Sequence, residues 1–152
     1  MLYEPYDTYY PRKQVTLLRL YNYLGLPHVK KKLVFGHALN IIGLYVDLSS
    51  MTITMPSDAC DKLVSAIHAF IDMASSRCHP LVKWQRMLGW INWSLNAFPL
   101  CCPALQSAYA KIAGKQVARA KIYLNHAVIH NFTWLMSMIE ASDGVHMMHA
   151  VK

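Results

Sequence analysis

The residues with the clearest binding chemistry lie in one short segment, Trp84 to Trp93, in the middle of the chain. At the spacing of an α-helix, about 100° per residue, the large apolar side chains of this segment share one arc, which is typical of a core face. A second arc carries small and polar residues: Gln85, Gly89, Asn92 and Asn96. Trp93 lies at the edge of this arc. We therefore expect the second arc to face a partner.

Gly89 is unexpected inside a helix. A helical glycine costs about 1 kcal/mol relative to alanine, so it is usually tolerated where something must come close to the backbone. From the residues alone, Trp90 and Trp93 are more often core residues that pack against a neighbouring helix. The glycine is therefore the stronger sign of an external contact.

Composition and charge predict a folded chain with exposed apolar surface and a polyanionic partner. Of 152 residues, 55% are hydrophobic and 15% are charged, which argues against intrinsic disorder. The net charge of +7 is uneven, because residues 1–32 carry six basic and two acidic side chains, and residues 74–121 carry seven basic and none acidic. Charge alone does not distinguish a nucleic acid from a membrane surface.

Several classes of protein are disfavoured. The four cysteines show neither a C-x-x-C pair nor a histidine at ligand spacing, so no zinc site is predicted and the thiols are interpreted as reduced. The first residues lack the pattern of a signal peptide, which predicts an intracellular protein without deciding between cytoplasm and nucleus. No apolar run reaches the roughly 18 residues that span a bilayer.

The elements that would position these residues follow from periodicity and turn signals. A helix is predicted over about 12–24, and two β-rich stretches, 38–47 and 51–55, are interpreted as a hairpin. Residues 78–80 are interpreted as the end of a connection. Further helices are predicted after Pro56 and over about 81–97, 104–113 and 116–140.

The predicted fold class is therefore α+β and mostly α, with an N-terminal helix, a β-hairpin and then a bundle of about four helices. Residues 1–10 are rich in tyrosine and are interpreted as a strand or loop removed from its context. An isolated two-stranded ribbon is marginal in water. We therefore expect both the hairpin and residues 1–10 to be poorly supported.

Two motifs in succession carry a resemblance to a known family. The run from Ala38 to Asp47, followed by Met51 to Pro56, resembles the primer-grip hairpin of reverse transcriptases, in which an apolar residue followed by glycine opens the hairpin. Further along, the pattern Gln85-x-x-x-Gly89-x-x-Asn92-Trp93 is similar to the thumb helix of the same enzymes. Phe98-Pro99 is similar to the joint that follows the helix.

The resemblance extends upstream, where Gly25 to His28 and Lys31-Lys32 resemble the end of the palm helix and a lysine-bearing turn. Order and spacing agree over about residues 12–113. The whole chain is similar to reverse transcriptase and RNase H-like proteins encoded by retroelements of mushroom-forming fungi. The resemblance implies three segments: residues 1–56 as the end of the palm with the primer grip, 57–113 as a thumb-like helical subdomain, and 114–152 as part of the connection.

The resemblance also implies that the catalytic groups are missing. In the family, aspartates hold two Mg²⁺ ions, and they lie upstream of the segment that begins here at Met1. The acidic cluster of RNase H would lie beyond Lys152. The chain is therefore expected to be a fragment that is not an enzyme and has no cofactor of its own.

The nucleic-acid-binding residues implied by the family lie first on the thumb helix. Gln85, Gly89 and Trp93 would face the minor groove of a template–primer duplex, and their i, i+4, i+8 spacing puts them within about 80° of one face. Glycine would admit the sugar-phosphate backbone closely. Trp90 is interpreted as structural.

Other binding residues implied by the family lie outside that arc. Ile42 and Gly43 would hold the primer end, and Lys31 corresponds to a lysine of the palm turn that would contribute only charge in the absence of metal. Relatives often carry an arginine at the position of Cys102, so this chain departs from the family there. Candidate phosphate contacts are the basic residues Lys83, Arg86, Lys111, Lys115, Arg119 and Lys121.

The expected function is that of a non-catalytic part of a retrotransposon reverse transcriptase that binds an RNA/DNA or DNA duplex weakly and with strong salt dependence. The alternative is a structural remnant, or a pseudogene product without selected nucleic-acid binding, that associates with itself or with a missing palm domain. A basic amphipathic surface resting on a membrane is a third option with the lowest weight, and no membrane partner is expected.

Overall fold

The computed structural model describes residues 1–72 and 77–146 and confirms an α+β fold that is mostly helical. Its helices are α1 (Arg12–Tyr23), α2 (Ser57–Ile71), α3 (Leu81–Ser94), α4 (Gln106–Ile112) and α5 (His126–Ala141). Its strands are β1 (Leu2–Tyr3), β2 (Thr8–Tyr9), β3 (Ala38–Ile41), β4 (Leu44–Asp47), β5 (Thr52–Thr54), β6 (Cys78–Pro80), β7 (Lys121–Tyr123) and β8 (Val145–His146).

The chain forms two compact units, Met1–Leu39 and Asn40–Lys152. The segment boundaries implied by the family resemblance, at residues 56 and 113, stay predictions. Within the described ranges, none of the helices combines the length and apolar character needed to cross a membrane.

The N-terminal unit has its own small core. Strands β1 and β2 pair antiparallel, and the buried side chains Tyr3, Tyr10, Val15 and Leu18 pack together behind them. Asn22 of α1 donates a hydrogen bond of 2.6 Å to the Tyr3 hydroxyl. Residues 1–10 are therefore well supported, contrary to the expectation from sequence, because Tyr3 and Tyr10 pack against Val15 and Leu18 of α1.

A four-stranded sheet has the order β3-β4-β5-β8; its first strand, β3, begins at the boundary between the two units, and the other three strands belong to the second unit. The predicted hairpin region contributes three strands, because a two-residue turn divides its first stretch into β3 and β4. Between β4 and β5, the Asp47 carboxylate accepts a hydrogen bond of 2.8 Å from the Ser49 amide, which is the main reason that the pKa of Asp47 is lowered. The second turn is therefore closed by an acidic side chain that favours its charged form.

Strand β8 supports this sheet from far along the chain, pairing antiparallel with β5 at Thr52↔His146 and Ile53↔Val145. Gly144 precedes it with φ +97, and a methyl group at this position would lie 2.5 Å from the Ile53 carbonyl oxygen. Only glycine fits this approach. The hairpin is therefore not the isolated ribbon that the sequence led us to expect.

The core of the second unit lies among α2, α3 and α5. Trp84 of α3 is fully buried at its centre, with its ring 5.1 Å from that of Phe70 in an edge-to-face arrangement. Its indole nitrogen donates a hydrogen bond of 3.4 Å to the Ile122 carbonyl. Each of the three helices buries one apolar stripe, as its periodicity predicts.

The predicted helix over 116–140 is wrong in its first part. Residues Lys121–Tyr123 form β7, which pairs antiparallel with β6, a segment interpreted from sequence as a connection. The helix begins only at His126, because the Asn125 side chain caps it by accepting a hydrogen bond of 2.9 Å from the Val128 amide.

Two other predicted helices are shorter in the structure. The helix predicted over 81–97 ends at Ser94, and the one predicted over 104–113 is preceded by a 3-10 segment, Pro99–Leu105, that contains a second proline at Pro103. Proline lacks the amide hydrogen that an α-helix needs in its interior. Helix α4 therefore begins only at Gln106.

His79 of β6 is a buried polar side chain in this core, with 3% of its surface exposed. Its Nε2 lies 2.7 Å from the Phe70 carbonyl oxygen, and Lys83 Nζ lies 3.3 Å from its Nδ1. A neutral ring that donates through Nε2 and accepts through Nδ1 satisfies both contacts. Burial is the main cause that lowers the pKa of His79, against the raising effect of the Phe70 hydrogen bond.

We predict that this ring makes the fold sensitive to mild acid. The pKa of His79 is lowered from an ordinary value of 6.5, so below that pH the unfolded chain binds a proton that the folded chain does not, and stability falls as pH falls. The midpoint of urea unfolding, measured between about pH 7.5 and about pH 5, should decline less in His79→Gln than in the wild type. His130→Gln, at an exposed position on α5, is the control and should keep the wild-type slope.

Candidate nucleic-acid interface

Helix α3 separates a buried face from an exposed face. The core side carries Leu81, Trp84, Met87, Leu88 and Ile91. A second side, which we call the polar face, carries the exposed residues Gln85, Gly89 and Asn92, and the exposed Asn96 follows in the turn after the helix. The polar face and this turn present three side-chain amides around one glycine, and amides offer hydrogen-bond donors and acceptors at once.

Gly89 lies at the centre of the polar face and packs against nothing in the structure. A methyl group placed there would have no other atom within 4 Å, outside its own helix backbone and chain neighbours. Neither crowding nor a left-handed backbone requires glycine at this position. An alanine would fit and would favour the helix by about 1 kcal/mol.

The turn between β3 and β4 packs against α3. Ile42 and Gly43 both have positive φ angles, +53 and +81, as a tight two-residue turn requires. A methyl group at Gly43 would lie 3.3 Å from Cζ2 of the Trp93 ring. The second unit thus brings together Gly43 of the hairpin motif and Trp93 of the thumb-helix motif.

Trp93 and Trp90 differ in their surroundings. Trp93 is half-buried and packs against the edge of the core, whereas Trp90 is 37% exposed. The sequence predicts a structural role for Trp90, which stays a prediction; the same side of α3 carries Lys83 and Arg86. Ile42 is 84% exposed at the tip of its turn.

We predict that Gly43→Ala destabilises the turn. The change forces an L-residue into positive φ and pushes a methyl group against the Trp93 ring, so it should cost about 1–2 kcal/mol. The free energy of unfolding from urea titration measures it. Trp93→Ala removes the ring, so the double variant should lose less than the sum of the two single changes. Strict additivity would contradict a contact between the two residues.

A basic cluster lies beside the first turn of α3. The Leu81 amide donates a hydrogen bond of 3.0 Å to the Ala120 carbonyl, and the Val82 amide donates one of 3.2 Å to the Ala118 carbonyl. These bonds hold residues 118–121 against the start of α3. We define the basic cluster as the exposed residues Lys83, Arg86, Arg119 and Lys121.

The stretch of sequence that contains this cluster is free of acidic residues. From residue 77 through residue 139 the sequence contains no acidic side chain. Acidic residues lie elsewhere in the unit, for example Asp58 and Asp61 on α2. The segment from residue 77 to residue 139 is therefore positively charged, as a segment that positions phosphates requires.

The remaining candidates from the sequence lie outside the cluster. Lys111 is half-buried on α4, and Lys115 is exposed in the loop that follows. Lys31 belongs to the N-terminal unit, where it lies exposed in a 3-10 turn, Lys30–Lys32.

A groove next to the polar face was missed from the sequence. It has a volume of about 390 Å³ and is lined by Asn92, Cys102, Pro103, Leu105, Gln106 and Tyr109. Gln106 and Tyr109 are three residues apart on α4 and share one side of it. That spacing predicts that the two side chains share one side of α4, but it does not predict that this side packs next to α3.

The described ranges contain no group of three histidine, cysteine or acidic side chains that could hold a metal ion. Of two neighbouring cysteines, Cys102 is exposed and Cys101 is buried. Burial raises the pKa of Cys101. Comparison of this chain with known protein families, with curated proteins and with solved structures finds no match.

Proposed function

We propose that this chain is the duplex-handling part of a retrotransposon reverse transcriptase, and that it binds template–primer duplex without catalysing polymerisation. The polar face of α3 would lie along a groove of the duplex, and the basic cluster would contact phosphates. The motif resemblance supplies the family, and the arrangement around α3 supports the binding role. Any Mg²⁺ would belong to the polymerase that this part serves.

Gly89 is the observation that carries the proposal. The fold gives up about 1 kcal/mol of helix stability at a position where no protein atom needs the space. An external surface that approaches the helix backbone supplies a reason for the glycine. The surrounding amides match the acceptors and hydroxyls displayed in a minor groove.

The basic cluster supports the same orientation. Its four cations lie at the start of α3, on an acid-free part of the chain, so phosphates and groove edges can be contacted together. Phosphate contacts position a duplex without distinguishing its sequence. Binding of this kind releases counterions and weakens steeply as salt rises.

A second candidate function is self-association through the N-terminal unit. Helix α1 buries Val15 and Leu18, but Leu17, Leu20 and Leu24 are each 45% to 57% exposed and recur at i, i+3, i+7. An apolar stripe of this kind is typical of a helix that meets another helix. Sedimentation of the full chain with and without duplex separates the two functions, because self-association alone would give an oligomer that ignores nucleic acid.

The direct test is fluorescence anisotropy of the full chain with a labelled RNA/DNA hairpin duplex at several salt concentrations. We expect binding at low salt that weakens as salt rises, and Gln85→Ala should weaken it about threefold to tenfold, since a lost hydrogen bond is worth about 0.5–1.5 kcal/mol. Ser65→Ala, at an exposed position on the acidic helix α2, is the matched control. Absence of binding at low salt, or equal loss in both variants, would contradict the proposal.

A further inference from the structure

The groove beside the polar face of α3 has a mixed lining. Asn92 and Gln106 contribute amides, and Tyr109 contributes a phenol ring that is 45% exposed. Leu105 and Pro103 provide apolar wall. The groove therefore combines an aromatic surface with donors and acceptors from two different helices.

No lining residue carries a formal charge, so the groove has no cation to hold a phosphate. The elements that line it, α3, the 3-10 segment Pro99–Leu105 and α4, carry no acidic side chain, so they do not repel a polyanion. A ligand that suits both features has a neutral, planar, hydrogen-bonding part attached to a charged backbone. A nucleotide has this construction.

We propose that the groove binds a single unpaired nucleobase, stacked on Tyr109 and hydrogen-bonded by Asn92 and Gln106. This inference rests on the proposed function, because the duplex on the polar face delivers the base. Every base has a π-face, and stacking on an aromatic side chain is tolerant of sequence. The amides supply donors and acceptors for whichever edge is presented.

Continuity with the polar face favours a nucleobase over an apolar side chain of a protein partner. Asn92 belongs to both surfaces, so a nucleotide that leaves a duplex on the polar face would lie next to the groove. An unpaired base has already lost its pairing, so its placement in a pocket costs less than for a paired base. The groove would thus select duplexes with a bulged or frayed nucleotide.

The test compares two hairpin duplexes that differ by one bulged nucleotide, using anisotropy with the full chain. The wild type should bind the bulged duplex on the order of tenfold more tightly, the usual scale of base–aromatic stacking. Tyr109→Ala should abolish this preference and leave affinity for the paired duplex unchanged, whereas Tyr109→Phe should keep it. Tyr123→Ala, at a tyrosine that is 62% exposed on β7, is the control.

The exposed thiol of Cys102 gives an independent measurement at the groove. The bulged duplex should slow its alkylation by N-ethylmaleimide several-fold more than the paired duplex does. If both duplexes bind equally, or if Tyr109→Ala keeps the preference, the nucleobase site is wrong while the proposed function stands. If neither duplex binds, the proposed function fails, and the groove proposal fails with it.

Discussion

Replacing Gly89 by alanine should make the protein more stable and its duplex binding weaker. The new methyl group meets no protein atom within 4 Å outside the local helix backbone, and alanine favours a helix interior by up to about 1 kcal/mol. On the outer surface the same methyl group would hold a bound sugar-phosphate backbone away from the amides. We expect affinity to fall on the order of tenfold, equivalent to about 1.4 kcal/mol.

Stability and duplex affinity should change in opposite directions in Gly89→Ala. Urea unfolding measures the gain in stability, and anisotropy with a duplex measures the loss of affinity. A larger side chain, as in Gly89→Leu, should weaken binding further with no loss of folding. Ala110→Gly on α4 is a control for helix propensity at an exposed site. If Gly89→Ala bound duplex as well as the wild type, the close approach at α3 would be wrong.

The largest loss of stability should come from Trp84→Ala. Trp84 is fully buried, packs edge-to-face on Phe70 and donates a hydrogen bond to the Ile122 carbonyl. Truncation removes the ring and leaves a cavity, for which core Trp→Ala changes cost about 3–5 kcal/mol. Since small domains are stable by only about 5–15 kcal/mol, this one side chain accounts for a large share of the stability of the second unit.

Trp90→Ala is the matched control on the same helix, because Trp90 is 37% exposed. It should cost clearly less stability than Trp84→Ala, because truncation of a partly exposed ring leaves no enclosed cavity. Far-UV circular dichroism during urea unfolding follows both variants. Equal losses in the two would show that the burial of α3 is assigned to the wrong face.

Helical periodicity was sufficient to predict the two faces of α3. The apolar arc from Trp84 to Ile91 is buried, and the arc of Gln85, Gly89 and Asn92 is exposed. The local pattern predicts these faces because the regular geometry of a helix fixes the direction of each side chain from its position in the sequence. The same geometry placed Trp93 at the edge of the polar face, where the structure leaves it half-buried.

Long-range pairing was not predictable in this way. Strand β7 was expected to be helical, and its pairing with β6 depends on a segment some forty residues earlier in the chain. Likewise β8 joins the sheet because Gly144 allows close approach to β5, which no local pattern reveals. Short strands have too few residues to show their period, so only their partners define them.

The candidate site was predicted in part. Gly43 and Trp93 were each singled out, but their contact became visible only when the turn was placed against α3. Asn92 was assigned to the polar arc, whereas Tyr109 and the groove they share had no recognisable motif. Contacts within one helix follow from spacing, but contacts between two helices depend on how they pack.

Photo-crosslinking tests the central claim most directly, because it locates the duplex on the protein. A hairpin duplex with a photoreactive group in its minor groove would be bound to the full chain at low salt, irradiated, and analysed by peptide mass spectrometry. We predict crosslinks on the exposed side of α3, between Gln85 and Asn92, or at Asn96 just after it, that disappear at high salt. Crosslinks confined to Met1–Leu39 or to α2, with none on α3, would contradict the assignment of α3 as the duplex-binding helix.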